Sequence, residues 1–171
     1  VPAEIEGRTV IEIGDRSFTG ETGLFTVTIP ETVVAVGDYA FENCYNLRSV
    51  TFAEGGTAMT IGTSAFASCD LLTDIVLPSY TGSIGDSAFE GPPLAAFVIP
   101  ESVIYLGAKS LKETAITEIN IPANVETIGD GAFANTPLMN VIFAEGDKPL
   151  TLGTLTNTDK TGGVFYNTKI V

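Results

Sequence analysis

The chain has 171 residues, 44% of them hydrophobic and 17% charged, so it can bury a continuous core and lacks the composition of a disordered protein. Its formal net charge of −13, with eight Lys plus Arg and no His, makes nucleic acid and anionic membrane surfaces poor partners. No apolar run approaches the roughly 20 residues of a membrane-spanning helix, so we expect no direct membrane insertion.

The N-terminal segment predicts the end of one repeat followed by an inserted turn. Val1-Pro2 matches Ile29-Pro30, and the turn is Glu6-Gly7-Arg8-Thr9. The first residues have neither the basic start nor the apolar run of a signal peptide. We therefore expect that any export signal has already been removed.

Apolar triplets spaced as L-x-x-V-x-I begin the units that follow. The last two members of each triplet alternate with one outward residue, so we expect short strands that stack into one parallel sheet. A Pro after several strands cannot donate to the ladder and ends the strand. The triplets are Leu24/Val27/Ile29, Leu47/Val50/Phe52, Leu72/Ile75/Leu77, Leu94/Phe97/Ile99, Ile116/Ile119/Ile121 and Leu138/Val141/Phe143.

A six-residue motif, clearest as Ile-Gly-Asp-x-Ala-Phe at residues 84–89 and 128–133, follows each triplet. The motif predicts a short helical turn, capped at its start by Asp38, Asp86 or Asp130. A ladder of cations on these carboxylates is the alternative, but Thr and Ala interrupt the series. We expect the motif Phe residues to form one buried column: Phe41, Phe66, Phe89 and Phe133.

The last motif residue recurs every 22–25 residues, and a period of this length is typical of leucine-rich repeats. The full pattern, L-x-x-V-x-I-P-x-x-V-x-x-I-G-x-x-A-F-x-x-C/T, resembles the BspA-like or Treponema pallidum-type leucine-rich-repeat family. The resemblance implies an α/β solenoid, a right-handed superhelix with one parallel β-sheet face and short helical or irregular turns on the other. It also implies a bacterial, secreted or cell-surface protein of adhesion type. Leu111, in place of the motif Phe, departs from the pattern.

We predict a single domain, residues 1–171, of about six and a half repeats. An extra polar loop within Thr154–Gly163 interrupts the last unit, and the chain then stops near the start of a strand. We expect either a fragment of a longer protein or a solenoid without a terminal cap. The sequence predicts no particular oligomeric state. The approximate units are 1–23, 24–46, 47–71, 72–93, 94–115, 116–137 and 138–171.

The two cysteines, Cys44 and Cys69, lie three residues after the motif Phe of adjacent units. Stacking brings their sulfur atoms within the range of a disulfide, but parallel side chains rarely reach the dihedral angle that the bond requires. We therefore expect two free structural thiols. Later units carry Pro or Thr at this position.

Catalysis and metal binding have little support in the sequence. The lack of His excludes Ser–His and Cys–His dyads, and a zinc site would need both cysteines plus carboxylates. Glu31, Glu54, Glu101 and Glu145 recur just after the strands, where they predict a solvated rim. We expect no enzyme, cofactor or metal, with a carboxylate-based enzyme as a remote alternative.

The outward face of the sheet is the candidate binding surface. Contiguous apolar groups rimmed by polar ones on a solenoid favour contact with a protein or glycan ligand. Strand propensity alone also explains Val, Ile and Thr, and a structural spacer that displays other domains is the alternative function. A binding module predicts an apolar or chemically distinctive face, whereas a spacer predicts a uniformly polar one. The candidate residues are Asp74, Val76, Ala96, Val98, Glu118, Asn120, Asn140 and Ile142.

Overall fold

The structure is a computed structural model that describes residues 1–153 and 163–170. The chain winds as a solenoid of parallel strands with about six turns, which confirms the predicted repeat architecture. No helix occurs in the described residues, so the helical turns and the α/β class are wrong. The strands are β1 (Glu4–Ile5), β2 (Arg8–Thr9), β3 (Glu12–Ile13), β4 (Thr26–Ile29), β5 (Ala35–Val36), β6 (Ser49–Phe52), β7 (Met59–Ile61), β8 (Asp74–Ile75), β9 (Thr81–Ile84), β10 (Tyr105–Leu106), β11 (Glu118–Ile121), β12 (Thr127–Ile128), β13 (Asn140–Phe143) and β14 (Thr151–Leu152).

The strands predicted from the triplets form two separate sheets instead of one. β4, β6 and β8 pair in a first parallel sheet, and β11 pairs with β13 in another. The corresponding segment of the fifth unit, residues 96–99, forms no strand. The expectation of one continuous sheet face is therefore wrong. The alternation of inward and outward residues is confirmed in the triplets up to Ile121, but in the last one Val141 is only partly buried and Phe143 is 46% exposed.

Proline accounts for the break between the two sheets. β4 pairs with β6, and β11 with β13, over four residues, and in both pairs an Ala follows the later strand. The N–H of Ala53 donates to Ile29 O at 2.8 Å, and the N–H of Ala144 donates to Ile121 O at 2.9 Å. A proline in this position has no N–H to donate. Pairing of β8 is accordingly limited to two residues, and pairing on both sides of residues 96–99 is lost. The prolines are Pro78, Pro100 and Pro122.

A third parallel sheet, for which the sequence carries no prediction, runs along the solenoid. It joins seven strands in chain order: β3, β5, β7, β9, β10, β12 and β14. Its strands include the apolar residue just before the motif Gly, so that Ile13 pairs with Val36 and Leu106 with Ile128. Five of these seven strands have two residues, too few to show a period-2 pattern, and the four residues of β9 are not alternately buried and exposed, which is why the sequence does not predict the sheet.

Left-handed residues take the place of the predicted helical turn. Tyr39 and Asn43, two residues before and after the motif Phe41, have φ of 59° and 60°. The N–H of Phe41 donates to Ala65 O of the next unit at 2.8 Å. A right-handed helix needs successive residues at negative φ and N–H bonds within its own turn, so this backbone cannot form one.

The motif Asp bonds to the next unit and does not cap a helix, which corrects the predicted role. Oδ1 of Asp38 accepts from the Thr63 N–H at 2.7 Å, and Oδ1 of Asp86 from the Ala108 N–H at 2.9 Å. The motif Gly is required by the tight stacking of units. A Cβ added to Gly85 would lie 2.7 Å from the backbone carbon of the preceding motif Gly.

The four predicted column residues, Phe41, Phe66, Phe89 and Phe133, are fully buried, as expected. The rings from Phe18 to Phe89 stack in sequence, with centroids 5.0, 5.2 and 5.4 Å apart. Leu111 interrupts the series, so the column consists of two stacks. The second stack joins the ring of Phe133 to that of Phe165 in the last unit, with ring centroids 5.6 Å apart.

Phe97 compensates for the missing ring in the fifth unit. Its centroid lies 5.1 Å from that of Phe89, at an interplanar angle of 58°. In the other units the equivalent strand position holds Val or Ile, and the motif position holds Phe. The fifth unit therefore reverses the usual placement of its aromatic and aliphatic side chains.

Both cysteines are free and buried, as predicted. The Cys44 thiol donates to Phe18 O at 3.0 Å, and the Cys69 thiol to Phe41 O at 3.1 Å. Burial raises the pKa of both thiols, that of Cys69 to about 12. Because the thiolate is the reactive form, these side chains are chemically inert in the folded protein.

The predicted turn Glu6-Gly7-Arg8-Thr9 is confirmed only for its first two residues, because Arg8 and Thr9 form β2. β1 and β2 form an antiparallel hairpin whose turn residues, Glu6 and Gly7, have φ of 53° and 74°. The predicted loop within Thr154–Gly163 lies outside the described residues apart from Gly163. After it, the N–H of Lys169 donates to Leu138 O at 2.9 Å.

Candidate functional site: the outward sheet face

All eight candidate residues are exposed on the outward side of the triplet segments. Val76, Val98 and Ile142 leave 71%, 75% and 52% of their surface in solvent. The residues beside Val76 and Val98 in sequence, such as Ile75 and Phe97, are buried because alternate side chains of an extended chain point to opposite faces. Beside Ile142, in contrast, Phe143 is 46% exposed.

The candidate residues do not form one regular ladder. Glu118 pairs with Asn140, and Asn120 with Ile142, across β11 and β13. Asp74 of β8 pairs with Ser49 of β6, whereas residues 96–99 belong to no strand. The face therefore consists of two paired regions separated by an unpaired segment.

One shallow groove of the outward face, the first groove, lies where the pairing of β6 and β8 ends. It has a volume of about 410 Å³ and is lined by Asp74, Val76 and Glu54, among others. Buried Phe52 and Leu77 contribute apolar surface to it. The groove thus combines an exposed aliphatic side chain, two carboxylates and an apolar floor.

The second groove lies between the fifth and sixth units, beside the unpaired segment. It has a volume of about 350 Å³ and is lined by Val98, Glu118 and Glu101, together with Ala96 and Asn120. Neither lining, drawn from the described residues, contains Lys or Arg. Both grooves are therefore acidic as well as apolar.

The sequence predicts only a solvated rim for Glu54 and Glu101. Both are exposed, as that interpretation requires, yet each also lines a groove beside a candidate residue. Their recurrence two residues after the last triplet residue was the available signal. Their proximity to the outward face depends on how the chain turns at the strand ends, which the repeat pattern does not specify.

The linings of the two grooves contain none of the residues that form ion pairs in the described part of the chain. The Lys112 Nζ is 2.6 Å from Glu90 Oε1, and the Lys148 Nζ is 2.7 Å from Glu126 Oε1. Burial tends to raise the pKa of Glu90, but hydrogen bonds, chiefly from Lys112, outweigh it and lower that pKa. The cations of these two pairs do not neutralise the groove carboxylates.

The described residues offer no metal centre and no membrane-spanning element. No group of three or more Cys, Asp or Glu residues among them is arranged to hold a metal ion. No helix of that part of the chain has the length and apolarity to cross a bilayer. The outward face and its grooves are the features that support a functional interpretation.

A sequence profile described as a BspA type leucine rich repeat region, with six copies, matches residues 4–112 and 56–160. The chain belongs to the BspA-type leucine-rich-repeat family. The match confirms the resemblance carried by the repeated motif. Members of this family are repeat scaffolds, which in general bind proteins.

Solved structures of related proteins show the same BspA-type fold. A leucine-rich-repeat protein of T. pallidum is 27% identical with a TM-score of 0.77, over 90% of this chain and 71% of its own. A leucine-rich-repeat protein of Bacteroides ovatus is 25% identical with a TM-score of 0.63, over 86% and 47%. The pneumococcal vaccine antigen PcpA is 23% identical with a TM-score of 0.55, over 69% and 28%. A search of curated proteins found no match.

The present chain therefore spans about half of the Bacteroides ovatus protein and about a quarter of PcpA. These likenesses establish the architecture of the chain.

Proposed function

We propose that this BspA-type chain is a non-enzymatic recognition module that binds a protein partner through its outward face, between residues 74 and 142. The observation that carries the proposal is the exposure of Val76, Val98 and Ile142 beside acidic groups. The module acts at the cell surface or as a secreted protein in adhesion, as the family resemblance implies.

The energetics of the exposed aliphatic side chains support a partner at this face. Full burial of Val or Ile contributes roughly 1.5–3 kcal/mol relative to exposure. Val76 and Val98 leave 71% and 75% of their surface in solvent, so most of that stabilisation is unused in the isolated chain. A protein surface that covers both side chains would recover part of it.

The early units offer a contrasting surface and the basis for the spacer alternative. Thr26, Thr28 and Thr51 are exposed on β4 and β6, with Ser49 partly exposed beside them. A uniformly polar strip of this kind is typical of a sheet surface that contacts only water and binds no partner. The spacer function fits these strands, apart from Thr51, which lines the first groove, whereas Val76, Val98 and Ile142 give the later units their apolar face.

Paired aspartate substitutions test the proposal. We expect Val76→Asp together with Val98→Asp to abolish retention of the protein on immobilised extracellular-matrix extract, because both side chains would lose their apolar contact. Their circular-dichroism melt should stay close to that of the parent, since both positions face solvent.

A matched control uses exposed aliphatic residues outside the candidate surface. Val34 and Ile104 are 40% and 49% exposed next to strands of the seven-stranded sheet. We expect Val34→Asp together with Ile104→Asp to retain binding. Equal retention of both double variants, or no retention of the parent, would favour the spacer.

The proposed location has a separate test. Antibody raised against the purified chain should label intact cells of the source bacterium, or precipitate the protein from their medium. Labelling that appears only after the cells are permeabilised would contradict an exported module.

A further inference from the structure

The two grooves of the outward face repeat the same chemistry at two places along the solenoid. The first presents Val76 with Glu54 and Asp74, and the second presents Val98 with Glu101 and Glu118. Apart from Val76 and Val98, each lining includes buried apolar residues from adjacent units. A ligand that fits one groove therefore has the chemistry to fit the other.

The distance between the grooves follows from the stacking of the units. The first lies between the third and fourth units and the second between the fifth and sixth, so two repeats separate Glu54 from Glu101 and Asp74 from Glu118. Val76 and Val98 occupy the same position in the two middle units, between these pairs of carboxylates. The seven-stranded sheet is continuous through β7, β9, β10 and β12 of these four units, and neighbouring parallel strands lie about 4.8 Å apart, which places the two pairs of carboxylates roughly 10 Å apart.

The lining of each groove selects a particular kind of side chain. Two carboxylates without a cation favour a positive group, and the exposed Val favours an aliphatic stem. Arg provides both, because its methylene stem packs along apolar surface while its planar guanidinium binds carboxylates in a bidentate manner.

The spacing of the grooves selects a backbone conformation. A polyproline II segment has three residues per turn and a rise of about 3.1 Å, so side chains at i and i+3 share one side about 9 Å apart. In a β-strand, side chains on one face are separated by roughly 7 Å at i+2 or 13 Å at i+4. Polyproline II therefore fits the groove spacing better than a strand does.

We propose that the two grooves bind a partner segment in polyproline II conformation that carries arginines at positions i and i+3. This inference rests on the proposed function and names the chemistry of the partner. Each arginine enters one groove, and the backbone between them crosses Ala96, which replaces the larger polar residues found beside it at Asp74 and Glu118.

Synthetic peptides of identical composition test the spacing. The probe is acetyl-Pro-Arg-Pro-Pro-Arg-Pro-amide, and the isomer is acetyl-Pro-Pro-Arg-Pro-Arg-Pro-amide, in which the arginines are at i and i+2. Isothermal titration calorimetry at about 0.15 M salt, where distant charges are screened, should give at least tenfold tighter binding for the probe. Replacing both arginines by citrulline, which is neutral and of similar shape, should remove detectable binding.

Substitutions in the grooves test the location. Glu54→Gln with Asp74→Asn neutralises the first groove, and Glu101→Gln with Glu118→Gln neutralises the second. Each pair should reduce the affinity for the probe to that for the isomer, because only one arginine is then bound. Glu31→Gln with Glu145→Gln removes the same number of charges from outside both linings and should leave the preference for the probe intact.

Equal affinity for the probe and its isomer would overturn the inference, because general attraction to an acidic protein does not depend on spacing. The proposed function would still stand if the valine substitutions abolished binding to matrix extract. Conversely, tight probe binding that the groove substitutions remove, combined with matrix retention unaffected by the valine substitutions, would support the inference and contradict the proposed role of the face in adhesion.

Discussion

Phe97 and Leu111 together fill the place that a motif Phe occupies in other units, and exchanging them should be nearly neutral. We predict that Phe97→Ile with Leu111→Phe restores the common arrangement, since Ile is the residue at this strand position in both adjacent units. The new ring at position 111 would then extend the stack that ends at Phe89.

Each single substitution should be destabilising for a different reason. Phe97→Ile removes a ring that is 94% buried and in contact with Phe89, at a cost of about 1–2 kcal/mol, less than the roughly 3–5 kcal/mol of a truncation to Ala. Leu111→Phe places a ring in a site that Phe97 already fills, and overpacking of this kind costs about 1–3 kcal/mol. If the double variant is near neutral, the two effects compensate by about 2 kcal/mol or more.

Guanidinium chloride denaturation followed by circular dichroism measures the four free energies of unfolding in this cycle. Leu94→Ile, a volume-conserving change at another buried position, serves as a control that should cost less than about 1.5 kcal/mol. Additive effects in the double variant would refute the reasoning, because they would show that the two side chains do not share one space.

Three further predictions concern the core and the surface. Phe89→Ala should lower the free energy of unfolding by roughly 3–5 kcal/mol, and a loss below about 1 kcal/mol would contradict its place in the stack. Cys44 and Cys69 should react with a thiol reagent only after unfolding, whereas a mass deficit of two hydrogens in the native protein would reveal a disulfide. Glu90→Gln should destabilise the protein at neutral pH, because the lowered pKa of Glu90 means that its charged form is favoured by folding. This effect should fade as the pH falls from the ordinary Glu value of about 4.3 through the lower folded value, and pH-independent destabilisation would exclude the ion pair with Lys112 as its cause.

The repeat architecture was predictable because a period of 22–25 residues is visible without any knowledge of the backbone. Alternation within the triplets also identified the outward side chains correctly, including Val76 and Val98. Both features depend on side-chain periodicity, which a sequence displays directly.

Backbone conformation at the turns was not predictable in the same way. The motif suggested a helix because Asp precedes Ala-Phe, as at Asp38 and Asp86. The chain instead places non-glycine residues such as Tyr39 at positive φ, and stacking hydrogen bonds to the next unit hold them there. The conformational propensities of single residues do not indicate such backbone hydrogen bonds between consecutive units.

The continuity of the sheet was mispredicted although its cause was visible. In the sequence, Pro78, Pro100 and Pro122 each mark the end of a strand, but together they also remove one ladder hydrogen bond from each of three successive pairings. The grooves were missed for the same reason, since Glu54 and Glu101 reach the outward face beside the weakened pairing.

Hydrogen–deuterium exchange tests the central claim most directly, with and without a protein partner purified by its retention on the parent chain. Binding to the outward face predicts slower exchange in residues 72–79 and 94–101, with no change in β5 or β10 of the seven-stranded sheet. Protection confined to that sheet or to the motif turns, with residues 72–79 and 94–101 unchanged, would contradict the account.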